Sequence, residues 1–228
     1  MNLGELRNAA RLRLDDAVEP YLWSDDELNG YINEAVNEAC LRARLNTDST
    51  TPEVTEIAVI AGTSSYDVHS SVFFIERVYM ETLKRVLHKT SFHDLDAEDD
   101  QWQTHTGNPT HYSMDLDHYA DYGDLYNKLT LYPIPEADDT IKLIVYRLPL
   151  SPMNSDSEFP EIPVPHHPYL VDWVCAQAYQ KADADSEQLN RAARFDQIFT
   201  SRFGPRPEAR RLEWRRKQRP KRVISRWL

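Results

Sequence analysis

The sequence predicts an α+β protein: a helical bundle formed by the N- and C-terminal helices, a small antiparallel β-sandwich or barrel inserted between them, and an extended C-terminal tail. Three observations predict it. Apolar residues recur at helical spacing in residues 1–45 and again after residue 166, while the intervening stretch changes to the period of strands. Helix patterns on either side of a block of strands are the signature of segregated α and β layers. The charge also reverses along the chain. From Arg202 to Leu228 there are 11 Lys/Arg and 2 Asp/Glu, a net of +9, whereas the whole chain carries −11, which leaves −20 on residues 1–201.

The elements follow in order. Leu3, Leu6, Ala10, Leu14 and Val18 fall near helical spacing, and Pro20 ends the run. Ser24-Asp25-Asp26-Glu27 is a capping box, in which the Ser24 hydroxyl and the Glu27 carboxylate each satisfy a free backbone N–H. Leu28, Tyr31, Ile32, Ala35, Val36, Ala39 and Cys40 then make one apolar stripe that fades near Leu45. Val54–Ile60 and Ser65–Val68 flank Ala61-Gly62-Thr63 and read as a hairpin. Val72–Met80 is rich in β-branched and aromatic residues and reads as a strand, with Leu83–His88 as its partner. Ser91–Asp100 reads as a short acidic helix capped by Ser91, and Gly107-Asn108-Pro109 breaks the chain. Strands follow at Thr110–Asp115, Leu125–Tyr132 and Thr140–Arg147, the last two joined by the turn Pro133–Asp139.

Helices return after the Pro-rich link Pro149–Pro165. Pro168 suits a first helical turn, and Tyr169–Tyr179 is apolar on nearly all sides, so this helix should be central. Ser186 can cap a last helix carrying Leu189, Ala192, Ala193, Phe195, Ile198, Phe199 and Phe203, and Gly204-Pro205 stops it. The expected organisation is residues 1–50 as the N-terminal helices, 51–150 as the inserted β domain, 151–204 as the C-terminal helices and 205–228 as a basic arm.

Composition excludes several kinds of chemistry. The six glycines stand where no phosphate loop or dinucleotide fingerprint can form, and no Ser has a nucleophile-elbow context. Cys40 and Cys175 both lie in helical patterns and read as buried core residues, and no zinc spacing or disulfide framework can be built from two cysteines. The eight histidines show no ligand spacing; adjacent His166 and His167 point in different directions. No metal, cofactor or catalytic residue is expected. No apolar run approaches the ~20 residues that span a bilayer, and the N-terminus lacks a signal-peptide layout, so no membrane association is expected and the chain should stay in the cytoplasm until it is assembled into something.

Two features point outward. Asp94, Asp96, Glu98, Asp99 and Asp100 form one acidic cluster, and Asp115, Asp117, Asp121 and Asp124 form another. They lack the Gly and closing Glu of a calcium loop and read as an acidic face that repels polyanions. The arm intersperses Arg210, Arg211, Arg215, Arg216, Lys217, Arg219 and Arg226 with Leu212, Trp214, Val223, Ile224, Trp227 and Leu228. Such a segment cannot bury enough apolar surface by itself to offset its ordering entropy, so it should order on a partner. The 12 Tyr and 5 Trp exceed the needs of a core and suggest subunit contacts.

The order of motifs resembles the head-to-tail adaptor (connector) proteins of tailed bacteriophages. The likeness rests on Leu22-Trp23-Ser24-Asp25-Asp26-Glu27-Leu28 with Tyr31-Ile32-Asn33-Glu34-Ala35, on Gly62-Thr63-Ser64-Ser65-Tyr66-Asp67-Val68, and on Phe74-Ile75-Glu76-Arg77-Val78. It continues in Trp102 followed by Gly107-Asn108-Pro109, in Leu129-Thr130-Leu131-Tyr132-Pro133-Ile134-Pro135, and in the helix after Pro165-His166-His167. It covers roughly residues 1–204 and departs at Val68-His69, where such proteins often have Leu-Pro. The resemblance implies a structural, non-enzymatic virion protein at the head–tail junction, present in the host cytoplasm during assembly. It implies a ring of about twelve copies under the portal protein that extends the DNA channel and docks a tail or nozzle protein, with the C-terminal segment running along the portal. DNA would pass without specific binding along the acidic clusters. Two other readings compete. A nucleic-acid-binding protein would use Arg210–Arg222, against the −20 of the body. A cell-wall glycosidase would need paired carboxylates, for which no spacing in the sequence argues.

Overall fold

The computed structural model describes residues 1–116, 127–181 and 186–206. Its helices are α1 (Leu3–Leu14), α2 (Asp25–Ala43), the single turn α3 (Pro52–Thr55), α4 (Phe92–Glu98), α5 (Leu170–Ala178) and α6 (Ser186–Phe203). Its strands are β1 (Thr47–Asp48), β2 (Glu56–Val59), β3 (Ser65–Val68), β4 (Val72–Met80), β5 (Arg85–Val86), β6 (His88–Lys89), β7 (Thr106–Gly107), β8 (His111–Leu116), β9 (Asn127–Tyr132), β10 (Ile134–Pro135) and β11 (Asp139–Arg147). The class is α+β, as the sequence predicts.

Helices α1, α2, α5 and α6 share one hydrophobic core. Leu170, Val174, Cys175 and Ala178 of α5 are buried between Leu3, Leu6 and Ala10 of α1, Leu28, Ile32, Ala35 and Ala39 of α2, and Phe199 and Phe203 of α6. Its all-round apolar sequence is the consequence of packing against three neighbours. Both N-terminal helices begin in capping boxes. In α2 the Glu27 N–H donates to Ser24 Oγ at 3.2 Å and the Ser24 N–H to Glu27 Oε2 at 2.9 Å; in α1 Asn2 and Glu5 do the same. Aromatic rings tie α5 to α6, with Trp173 5.1 Å from Phe199 and Tyr179 stacked at 6.0 Å on Phe195.

A second core lies in the strands. Strand β11 is a hub that pairs antiparallel with β1, β2 and β4, and β4 pairs with β5. A second sheet runs β3-β9-β8-β6. Val78, Ile141, Leu143 and Val145 of the first sheet and Tyr66, Leu129 and Leu131 of the second share one buried cluster. The two-residue strands β7 and β10 pair in parallel beside them. The turn from β3 to β4, where Val68-His69 departs from the adaptor pattern, is held by His69 Nδ1, which accepts from the Ser71 N–H at 3.2 Å.

Several expectations need correction. Helix α1 stops at Leu14, because Asp15 turns left-handed (φ 59°) and the Asp16 carboxylate gathers the following loop by accepting from the Leu22 N–H at 2.7 Å. Val18, expected in the helical stripe, is 81% exposed. The run expected as strand Val54–Ile60 starts with α3, since Pro52 is favoured in a first helical turn. The expected hairpin around Ala61-Gly62-Thr63 does not form: β2 pairs with β11 and β3 with β9, so the chain changes sheets there. Gly62 supplies the left-handed turn (φ 79°), and the Tyr66 hydroxyl pins it by donating to the Thr63 carbonyl at 2.7 Å. The Pro133–Asp139 connection likewise joins strands of different sheets. His88–Lys89 leaves the β4 hairpin to pair in parallel with β8, so the second sheet is mixed, not purely antiparallel. Leu189 lies off the core face of α6 and is 52% exposed.

Candidate functional site

Three places bear on function: the root of the basic arm, the acidic helix α4, and a groove on α6.

At the root, α6 ends in Phe203, which is buried and lies 5.7 Å from the His166 ring. Gly204 then adopts φ 87°, a conformation that glycine takes without strain, and its N–H closes the helix on the Thr200 carbonyl at 2.8 Å. The chain leaves over Glu38 of α2, a buried carboxylate shared by two cations. Arg42 Nε donates to its Oε2 at 2.9 Å, and Arg206 Nη2 lies 3.0 Å from its Oε1. Arg42 also donates to Thr200 Oγ1 at 3.0 Å and lies over Trp173 at 5.0 Å. An i, i+4 pair on α2 thus reaches across to α6 and meets the first cation of the arm. The arm positions singled out in the sequence, Arg210–Leu228, lie outside the described residues.

Helix α4 and the two residues after it carry the first acidic cluster, and three of its five carboxylates do local work. Asp94 accepts from Ser91 Oγ at 2.8 Å, Asp96 accepts from Trp102 Nε1 at 2.7 Å, and Asp99 accepts from the Gln101 N–H at 2.8 Å and lies 3.3 Å from His105 Nε2. Glu98 and Asp100 face solvent. Trp102 stacks on Phe92 at 5.6 Å and meets Tyr132 edge-on at 5.9 Å, and these rings line a cleft of about 490 Å³ together with Ser64, Ser65 and Thr130. In the second cluster, Asp115 belongs to β8, whereas Asp117, Asp121 and Asp124 lie outside the described residues.

The third place was not legible in the sequence. Arg13 of α1, Tyr179 after α5, and Arg191, Arg194, Phe195 and Ile198 of α6 line a groove of about 360 Å³. Arg13 is held by the buried Asp172, and Arg191 lies 5.9 Å over the Tyr179 ring. Burial raises the affinity of the Asp172 carboxyl for its proton, and Arg13 partly offsets this.

Other charged groups are structural. Arg147 Nε donates to Asp48 at 2.6 Å and Nη2 to Glu161 at 2.6 Å, fastening β11 to β1 and to the Pro-rich link. Burial opposes ionisation of Asp48, but the Thr50 and Thr51 N–H groups and Arg147 outweigh it and hold the carboxyl well below the usual range. His167, fully buried, donates from Nε2 to the Ile162 carbonyl (3.0 Å) and accepts at Nδ1 from the Met1 amino group (2.9 Å), a packing role. Burial pushes both cysteine thiols up to about 12. Among the described residues no three His, Cys, Asp or Glu side chains are grouped as a metal site would require, and no helix is long and apolar enough to cross a membrane.

The comparison with curated proteins returns no match. A family model described as SU10 adaptor protein matches residues 1–223, so it runs through both cores, past Gly204 and into the basic arm. The likeness to head-to-tail adaptors drawn from Leu22–Leu28, Gly107-Asn108-Pro109 and the Leu129–Pro135 strand thereby holds, and this chain belongs to the SU10 adaptor family of phage head-to-tail adaptor proteins.

Proposed function

We propose that this phage structural protein forms a ring, of twelve copies by family resemblance, beneath the portal protein, where it extends the DNA channel and offers its lower face to a tail or nozzle protein. The observation that carries the reading is the family match over residues 1–223, which includes body and arm alike. In this reading residues 1–50 and 151–204 act as one helical bundle, residues 51–150 as an inserted β-sandwich, and residues 205–228 as the portal anchor. The arm's mixture of Arg with Leu212, Trp214, Val223, Ile224 and Trp227 supports docking on protein, since aromatic and Arg side chains are what buried contact centres favour. The Arg206–Glu38 contact fixes where the arm departs. The −20 of residues 1–201 favours a wall past which DNA slides, because like charge raises the energy of a polyanion everywhere in the lumen. The solvent-facing Glu98 of α4 and Asp100 just after it are candidates for that wall. Assembly takes place in the host cytoplasm, and the product resides in the virion.

The test is deletion of residues 207–228. Circular dichroism and thermal melting should change little, whereas co-purification with the portal ring should be lost. Retained portal binding by the truncated chain would refute the assignment of the arm. Duplex DNA binding by the free chain at physiological salt, abolished by the same deletion, would favour a nucleic-acid-binding role instead.

A further inference from the structure

The groove between α1, α5 and α6 stands out against the charge of the body. Residues 1–201 carry −20, yet Arg13, Arg191 and Arg194 converge on one cavity of about 360 Å³. Its floor is not polar: Phe195 and Ile198 are only partly covered, and Tyr179 closes one end with Phe195 stacked on it at 6.0 Å. Arg191, Arg194, Phe195 and Ile198 stand at i, i+3, i+4 and i+7, so they form a face of α6 separate from Ala192, Phe199 and Phe203, which enter the helical core. Cationic forks above an aromatic and aliphatic floor suit a ligand that is both acidic and aromatic, since Arg pairs with carboxylates and stacks on rings. The cavity is large enough for a few side chains.

The chain itself contains such a ligand. Residues 117–126 read Asp117-His118-Tyr119-Ala120-Asp121-Tyr122-Gly123-Asp124-Leu125-Tyr126, with three Asp, three Tyr and no Lys or Arg. We propose that the groove lined by Arg13, Arg191 and Arg194 is a subunit contact that receives the Asp117–Tyr126 segment of a second copy. This rests on the reading of the protein as a self-assembling adaptor, and it moves Asp117, Asp121 and Asp124 from the channel wall to the seam between subunits. A nucleic-acid backbone fits the groove less well: phosphates gain nothing from Phe195 and Ile198, and the surrounding body repels them.

A fluorescent peptide of residues 115–127 tests the contact against the full chain carrying D117N/D121N/D124N, whose own segment no longer competes. The peptide should bind, and R191E/R194E in that chain should weaken it by about tenfold or more, as expected when charge pairs become like-charged. A peptide with Lys at positions 117, 121 and 124 should reverse the preference and select the R191E/R194E chain. Insensitivity of binding to R191E/R194E would overturn the proposal, as would displacement of the peptide by a duplex DNA oligonucleotide at equal concentration. To place the segment on a second copy, full chains carrying R191E/R194E are mixed with full chains carrying D117K/D121K/D124K and treated with a carbodiimide, which joins a carboxylate to an amine with loss of water. A dimer found only in the mixture, linked between α6 and residues 117–126, is expected. If one chain carrying both sets of substitutions links only within itself, the contact is internal and the proposal fails. The outcomes separate from those of the ring reading. A groove that passes these tests in a chain that never joins a portal would sink the ring and keep the contact. A chain that joins a portal while the peptide ignores α6 would do the opposite.

Discussion

The helical core and the strand core are separate clusters of buried residues, and they are fastened differently. The helical part carries the buried pairs Arg11–Asp16 at 2.6 Å and Arg42–Glu38 at 2.9 Å, and two pairs with one half-exposed partner, Arg11–Asp25 at 2.6 Å and Arg13–Asp172. The strands close on Val78, Ile141, Leu143 and Val145; Lys142–Glu81 sits on their exposed rim, and the buried pair Arg147–Asp48, at 2.6 Å, lies at the end of β11, beside the Pro-rich link. Hydrophobic packing tolerates sliding; a buried charge does not, because each guanidinium must keep its carboxylate or be stranded in a poor solvent. The helical part therefore has more of its geometry specified by charge than the strand part, where the buried pair sits at one end of the hub strand. It is also the part that carries both the arm root and the Arg groove.

Breaking one fastening of each kind tests this contrast. Asp16→Ala leaves the buried Arg11 with Asp25 as its remaining carboxylate and frees the Leu22 N–H, so the cost should be large, about 3 kcal/mol by urea denaturation. Asp16→Asn retains an acceptor and should cost less. Leu143→Ala in the strand core should cost roughly 2–5 kcal/mol through transfer and cavity terms. The thiols report which part opens. Cys40 and Cys175 are the chain's two cysteines, both lie in the helical core, and neither should react with a thiol reagent in the native protein. Labelling should accelerate with Asp16→Ala. If Leu143→Ala accelerates it equally, the two cores open as one cooperative unit and the contrast is one of chemistry alone.

Acid should expose the ionic fastenings next. Asp48, Asp139, Asp156 and Glu161 all hold protons less tightly than in an unfolded chain. Their contribution is thus complete above the unfolded carboxylate range of about 4 and is lost as pH falls through the folded values. Asp172 has the opposite sign, its cost being present at neutral pH and relieved on acidification. Asp48→Asn should lower neutral-pH stability and flatten the acid limb of a thermal-melting profile; an unchanged limb would show that Asp48 does not set it. The smallest effect belongs to Gly204→Ala, at about 1 kcal/mol, because a Cβ at φ 87° is strained although open space surrounds it.

Much of this was legible in the sequence where the signal is local. The Ser24–Glu27 capping box, the limits of Val72–Met80, the Ser91 cap and the central place of the Tyr169–Tyr179 helix follow from short-range spacing. The sheet exchange at Gly62 was not, because alternation shows which side of a strand is buried but not which strand lies beside it. Val18 looked like a core residue since spacing cannot reveal that Asp16 will gather the loop first. The acidic cluster at Asp94–Asp100 was visible as charge, while the use of Asp96 to hold Trp102 depends on a side-chain direction. Arg13 and Arg194 could not be joined at all, being on helices at opposite ends of the chain.

The hub position of β11 has a consequence for synthesis. Neither core can close until its late partners have been made: β11 is needed by β1, β2 and β4, and α5 by α1 and α2. At 5–20 residues per second, the stretch between Ala43 and Leu170 takes of order ten seconds to translate. For that interval the apolar stripes of α1 and α2 wait on the ribosome without their partner. The charges spread along them face the solvent meanwhile, and the Arg groove and the arm root form only once α6 has emerged.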